Sequence, residues 1–241
     1  REPMRQFSPL QASANGVRIV QFDKHDLEFL GLIKLDVLGL RMLGTVSEAR
    51  EIVADKQDIT IDLDALPFDD DRVYDMICEG DVLGLFQIES PAQMSTGARI
   101  QARTMQDLIK QISLVRPGPI QGGLIHPFIR RHKGLEPVRY DHPILKEILE
   151  DTYGVIVFQE QVLEVAHRFA GWSLDEADSF RRLMSRFRDA TEMESMRDGF
   201  VESAMKNGAS RKVANRVFDQ VSKFVGYGFC RSHAASFALT V

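Results

Sequence analysis

The chain has 241 residues, 44% hydrophobic and 27% charged, which is enough length and apolar content to enclose a core and excludes wholesale disorder. Lys and Arg number 30 against 35 Asp and Glu, a formal net charge of −5, a sum that by itself does not point to nucleic acid. No apolar run approaches the roughly 18 residues of a membrane span, and two cysteines, Cys78 and Cys230, provide neither a disulfide framework nor a four-cysteine zinc site.

The N-terminus lacks the charged-then-apolar pattern of a secretory signal, and a reducing, cytoplasmic setting is expected. The first residue is Arg1 and the last ten run apolar to Val241, so a piece of a longer protein is expected.

In chain order, residues 16–22 predict a short strand. Across residues 31–39, Ile33, Leu35 and Val37 alternate with Lys34 and Asp36, the period of two that a strand requires. Lys34 and Asp36 therefore share its polar face. Residues 40–55 read as a helix. Residues 58–91 then carry ten acids and one base, Arg72, whereas residues 97–135 carry seven bases and one acid, Asp107. The charge is strongly segregated, and the whole-chain sum conceals it.

The remainder predicts helices. Asp69 or Asp70 can cap one over residues 71–79. Thr104 with Asp107 resembles a capping box, and the segment behind it ends at Pro117 and Pro119. Residues 141–149 tolerate Pro143 in a first turn. Residues 160–169, 174–187, 191–206 and 210–225 have helical periodicity, with Thr191 and Glu194 as a second box and Asn207-Gly208 as a stop. No internal repeat or low-complexity segment stands out.

Four segments carry candidate chemistry, each with a plain structural alternative. Asp36 is a carboxylate that can hold Mg²⁺, although such sites usually need further carboxylates and substrate phosphates; a solvated strand face is the alternative. Leu114-Val-Arg-Pro-Gly-Pro119 is a rigid turn in which Gly118 permits close backbone approach and Arg116 can face a phosphate backbone. Arg182 and Arg186 share a helix face behind Arg181, suited to a triphosphate, while Asp175, Glu176 and Asp178 can simply neutralise them. Finally, Gly226-Tyr-Gly-Phe-Cys-Arg-Ser-His233 leads a glycine-containing loop into a helix that Ser232 can cap. Arg231 there suits an anion, Tyr227 and Phe229 can stack on a base or sugar, although aromatics are more often core, and His233 is either a hydrogen-bonder or a ligand contact.

These segments occur together and in order in one family. Leu35-Asp-Val-Leu-Gly-Leu40, Gly84-Leu-Phe-Gln-Ile-Glu-Ser90, Val115-Arg-Pro-Gly-Pro119, Phe158-Gln-Glu-Gln-Val162, Ala177-Asp-Ser-Phe-Arg-Arg-Leu-Met184 and Gly226-Tyr-Gly-Phe-Cys-Arg-Ser-His-Ala-Ala235 make the chain resemble the C-family bacterial DNA polymerases, the α subunit of DNA polymerase III, from about Val20 to the end.

The resemblance implies a mainly α fold with a small β component: residues 1–40 as the C-terminal edge of the palm and 41–241 as a helical fingers domain. It places Asp36 at the third of three palm aspartates, whose upstream Asp-x-Asp pair is not in this chain, and it gives Lys34 a contact to the primer end or a phosphate. Arg116, Arg181, Arg182 and Arg231 are expected toward nucleotide phosphates or template; Gly118, Gln159, Arg186, Tyr227, Ser232 and His233 complete the expected nucleotide- and DNA-binding set. The implied activity is DNA-directed DNA synthesis by two-metal Mg²⁺ chemistry, in replication or translesion synthesis. Primer-template DNA and dNTP are the implied partners, with sliding-clamp and replisome contacts outside this stretch and no membrane.

The chain also departs from the family pattern. Ser185-Arg-Phe-Arg188 stands where many relatives have lysines and a glycine, so forked guanidiniums replace point charges. Cys230-Arg231 stands where replicative members often have Asn-Lys, and Gln21-Phe-Asp-Lys24 and Ser90-Pro-Ala-Gln-Met94 lean toward the error-prone paralogues. The alternative function for the chain alone is a catalytically inactive nucleotide- or DNA-binding module, and a helical protein-interaction module is a further one.

Overall fold

The computed structural model describes residues 3–33, 41–115, 123, 125–184, 190–222 and 229–241. The chain divides into two units, Arg1–Glu48 and Ala49–Val241. The first holds a hairpin of β1 (Leu10–Ala12) and β2 (Arg18–Val20), antiparallel with Gln11 opposite Ile19. The strand expected over residues 16–22 is thus shorter, and the sequence reading missed its partner β1. Helix α1 (Lys24–Phe29) was also missed. It is capped reciprocally: the Asp23 and Asp26 carboxylates each accept the other's backbone N–H at 2.9 Å. Of the strand expected over residues 31–39, Gly31 sits in a turn and Leu32 and Ile33 have no regular structure. The rest of that strand lies outside the described residues. Helix α2 (Met42–Gln57) runs two residues later than expected, and the boundary between the units falls within it.

The second unit is helical, and its helices begin where short polar side chains satisfy orphan N–H groups. The Asp70 carboxylate accepts Arg72 N–H at 3.0 Å and opens α3 (Asp71–Glu79). Gly80, at φ 82°, closes that helix in the left-handed conformation that a Cβ disfavours. Ser90 caps α4 (Pro91–Ile100), with Pro91 in its first turn. Thr104 caps α5 (Met105–Leu114) by accepting Asp107 N–H at 3.2 Å. The Asp107 carboxylate reaches back to Arg103 N–H and the Thr104 hydroxyl, a capping box shifted by one residue. Helices α6 (Ile125–His132) and α7 (Pro143–Leu149) follow, the latter capped by His142. Helix α8 (Gln159–Glu164) runs on as a π-helical turn over Val165–Phe169. Helices α9 (Leu174–Met184), α10 (Ala190–Lys206), α11 (Arg211–Ser222) and α12 (Arg231–Thr240) complete the unit.

Two expected caps are corrected. Thr191 lies within α10, which begins at Ala190, so it does not precede the helix. Ser232 lies in the first turn of α12; Cys230 holds the N-cap position and its side chain makes no cap bond. Helices α4 and α6 were not foreseen, although Ser90-Pro91 is itself a helix-start signal.

Two apolar cores form within this unit. One gathers Ile156, Val162, Phe169, Phe180, Phe200 and Phe218 from α7 to α11. The other gathers Ile100, Ile112, Phe128, Val157, Phe158 and Phe229 with α12. The extended stretch 155–158 lies between them. Ile156 packs in the first core, while Val155, Val157 and Phe158 pack in the second. A parallel bridge joins Phe158 to Phe229, and Gln159 N–H donates to the Phe229 carbonyl at 3.0 Å.

Candidate nucleotide-binding site

The described candidate residues converge where α8 begins. Adjacent residues fork there: Gln159 reaches α9 and Glu160 reaches α12. Gln159 Oε1 accepts from Arg181 Nη1 at 2.9 Å. Both Glu160 oxygens accept from the Arg231 backbone N–H, at 3.1 and 3.2 Å. The bridge to Phe229 fixes the start of α12 beside the start of α8, so residues some 70 positions apart in sequence come into one cluster.

On α9 one carboxylate serves two arginines. Asp178 Oδ1 accepts from Arg181 Nε at 2.9 Å and Nη2 at 2.7 Å; Oδ2 accepts from Arg182 Nε at 2.7 Å. The Arg181 guanidinium, and after it that of Arg182, holds the Asp178 carboxyl below the ordinary carboxylate range. Arg182 keeps 69% of its side chain exposed, against 26% for Arg181. The neutralising alternative raised by the sequence is therefore realised by Asp178. Glu176 instead takes Ser173 N–H and hydroxyl at the start of α9.

Arg231 lies with its guanidinium 4.9 Å from the centroid of the Phe158 ring. Its Nη2 lies 2.7 Å from Asp151 Oδ2 as an ion pair and donates to Gln106 Oε1 at 3.2 Å. It lines a cavity of about 430 Å³ whose other charged walls are Glu147, Glu150, Asp151, Glu160 and Glu164. The start of α12 is thus electrostatically occupied by acids of this chain. Ser232 Oγ lies 2.9 Å from Cys230 Sγ. His233 is exposed and packs its ring on Phe229 and Phe237, with centroids 5.0 and 4.1 Å away. Phe229 itself is buried in the second core, the core alternative for that aromatic.

Asp36, Lys34, Arg116, Gly118, Arg186 and Tyr227 lie outside the described residues. Among the described residues no group of three or more His, Cys, Asp and Glu is placed to hold a metal. No described helix is long and apolar enough to cross a membrane.

The basic stretch 97–135 is largely engaged locally. Arg103 pairs with Asp75, Lys110 with Asp107 at 3.7 Å, and Arg130 and Arg131 with Glu136 at 3.4 and 3.0 Å. Sequence reasoning passed over Glu160, Asp151 and Gln161. Gln161 is buried, and its Oε1 accepts the Val157 and Phe158 N–H groups at 2.9 and 3.1 Å, holding the stretch that presents Gln159. Its only local signal is its position three residues after Phe158, as in a capping box.

The same chain matches the family described as bacterial DNA polymerase III alpha subunit finger domain over residues 42–208. It is 42% identical over 240 residues, the whole of this chain, to "Error-prone DNA polymerase" of Symbiobacterium thermophilum. Proteins of the same name from Teredinibacter turnerae and Corynebacterium efficiens are 42% and 43% identical over 95% of the chain. The chain spans 22% of the length of each of these relatives. With a helical unit in place and the Gln159, Arg181 and Arg231 segments drawn together, the chain belongs to the bacterial DNA polymerase III alpha subunit finger domain family.

Proposed function

We propose that this chain supplies the fingers, residues 41–241, and the adjoining palm edge, residues 1–40, of a bacterial DNA-directed DNA polymerase of the error-prone branch, acting in the cytoplasm in replication or translesion synthesis. The observation that carries the reading is the meeting of Gln159 with Arg181 and of Glu160 with the Arg231 backbone at the start of α8, with Arg182 beside Arg181 on Asp178, in a member of this family. A pair of guanidiniums such as Arg181 and Arg182 suits the oxygens of a nucleoside triphosphate or a template backbone. Arg116, Gly118, Arg186, Tyr227, Ser232 and His233 extend that surface.

Asp36 would hold one Mg²⁺ in company with carboxylates from outside this chain, and Lys34 would contact the primer end or a phosphate. Mg²⁺ bound there would supply activation of the primer hydroxyl and neutralisation of the leaving pyrophosphate. The work of this chain is to bind and orient the dNTP and the primer-template. Clamp and replisome contacts belong to other parts of the longer protein. Because one expected metal ligand is present where three are needed, the isolated chain binds nucleotide or DNA without extending a primer.

The test is templated primer extension with Mg²⁺ and dNTPs, beside equilibrium binding of dNTP and primer-template to the chain. Extension is expected from the full-length protein, abolished by Asp36→Ala, and absent from the isolated chain. Joint replacement of Arg181, Arg182 and Arg231 by Ala should weaken dNTP and DNA binding by more than about tenfold. Unchanged binding would instead identify a protein-interaction module. Extension by the isolated chain, lost with Asp36→Ala, would overturn the division of the active site.

A further inference from the structure

Asp178 makes four short contacts with two guanidiniums: Arg181 Nε and Nη2 at 2.9 and 2.7 Å, and Arg182 Nε and Nη2 at 2.7 and 2.5 Å. The other ion pairs at helical spacing among the described residues are of a different kind. Lys110–Asp107, Lys146–Glu150, Arg168–Glu164 and Arg197–Glu194 are longer, at 3.7, 3.9, 3.4 and 4.0 Å, with Arg168 and Arg197 shared with Glu147 and Asp219; away from helical spacing, Glu136 also takes two guanidiniums, Arg130 and Arg131, but at one contact each of 3.4 and 3.0 Å. Two guanidiniums converging on one anionic group is the arrangement that captures a phosphate, and here a carboxylate of the same helix fills it.

The neighbouring group behaves alike. Both oxygens of Glu160 accept Arg231 N–H, the donor that the start of α12 would otherwise offer to an outside anion. On either side of the Gln159-Glu160 fork, then, an internal carboxylate stands where a ligand oxyanion would stand.

We propose that Asp178 is an internal competitor for the phosphate groups of the ligand. It holds Arg181 and Arg182 between turnovers, releases them to an arriving nucleoside triphosphate, and takes them back as pyrophosphate departs. The inference rests on the reading of these arginines given above. Asp178 brings one negative charge to the two guanidiniums, fewer than the pyrophosphate or triphosphate that would replace it. The carboxylate therefore lowers affinity for every phosphate-bearing ligand and shortens the stay of the anionic product. Arg181 keeps its third nitrogen on Gln159, so the guanidinium stays oriented when the carboxylate lets go.

The experiment titrates the 241-residue chain with inorganic pyrophosphate by calorimetry at low ionic strength. Asp178→Asn keeps the shape and removes the charge; it should tighten binding about 5- to 30-fold, the effect of one opposing charge removed near a protein surface. Asp178→Glu keeps the charge and should stay within about twofold of the parent. Arg181→Ala/Arg182→Ala should weaken binding at least about tenfold, and adding Asp178→Asn to that pair should then change nothing, because the coupling has lost its partners.

In the full-length protein, Asp178→Asn should lower the KM for dNTP without raising kcat and make pyrophosphate a stronger inhibitor by a similar factor. If the parent chain binds and the arginine pair weakens it, but Asp178→Asn binds equally or less well, the competitor role falls and the arginine site stands. If the arginine pair changes nothing, the arginine site falls and the competitor with it. A thermal melt of each variant identifies loss of fold, and Asp178→Ser repeats the charge removal should Asp178→Asn unfold.

Discussion

Replacing Gln161 by Met tests whether one buried amide holds the stretch between the two cores. The Gln161 side chain is within a residue that is 5% exposed, and Met preserves its length while removing its polar atoms. The Val157 and Phe158 N–H groups then lose the acceptor they share at 2.9 and 3.1 Å. Both residues are 1% exposed or less, so water does not replace it readily. Each orphaned N–H costs about 1–3 kcal/mol. Thr152 Oγ1, which accepts from Gln161 Nε2 at 2.8 Å, keeps its own bond to the Leu149 carbonyl at 3.3 Å, so its loss is partial. Burial of the more apolar Met returns about 1 kcal/mol.

The net loss is about 3 kcal/mol, a large part of the roughly 5–15 kcal/mol that holds a domain together. For a chain of this size that corresponds to a fall in Tm of about 6–12 °C. Urea unfolding followed by circular dichroism measures it, with the slope against denaturant unchanged if both end states are preserved. Amide exchange at Val157 and Phe158 should accelerate more than exchange in α10 or α11. A loss below about 1 kcal/mol would refute the reasoning, because it would mean that those N–H groups find other partners and that Gln161 does not position Gln159.

The thiols should differ in reactivity. Cys78 is buried, and burial pushes its thiol above the ordinary range, whereas Cys230 is partly exposed at the start of α12. Iodoacetamide at neutral pH should therefore alkylate Cys230 first, read by peptide mass spectrometry. Stability should also fall in acid. Asp178 is held low by Arg181 and Arg182, Asp70 by Arg72, and Glu176 by Ser173. Their folded values lie below their unfolded ones, so their contribution is full above about pH 4–5 and is lost as pH falls through the folded values. Asp178→Asn should flatten that acid limb of a urea-midpoint profile.

Local signals were readable in the sequence wherever a helix start depends on neighbours a few residues apart. Asp70 before α3 and Thr104 with Asp107 before α5 are contacts over two to four residues, so their spacing carries the information. So does Asp178, three and four residues from its arginines, although spacing alone leaves open whether it takes one or both. The fork at Gln159-Glu160 is different in kind. Its bonds span 22 residues to Arg181 and 71 to Arg231, and only the packing of two cores against residues 155–158 brings those ends together. Charge and pattern do not encode such a meeting. The family resemblance named Gln159 and Arg231 but passed over Glu160, because the acid does nothing recognisable until the Arg231 N–H is beside it.

The same distinction governs the charge runs. Ten acids in residues 58–91 facing seven bases in 97–135 read as an acidic surface beside a phosphate-seeking one. In the fold Asp75 pairs with Arg103, and Asp107, the single acid of the basic run, takes Lys110 and the Arg103 N–H beside the Thr104 cap of α5. A run of bases predicts a nucleic-acid surface only if its members remain unpaired after folding, since a guanidinium already held by a carboxylate must exchange that partner before it gains a phosphate. By that criterion the base count of a segment says little, and the exposure of each guanidinium says more. Of Arg181, Arg182 and Arg231, Arg182 is the most exposed, at 69%, although Asp178 holds it, while Arg231 faces an acidic cavity. Under the proposed function, the contact that a triphosphate displaces on α9 is the one to Asp178.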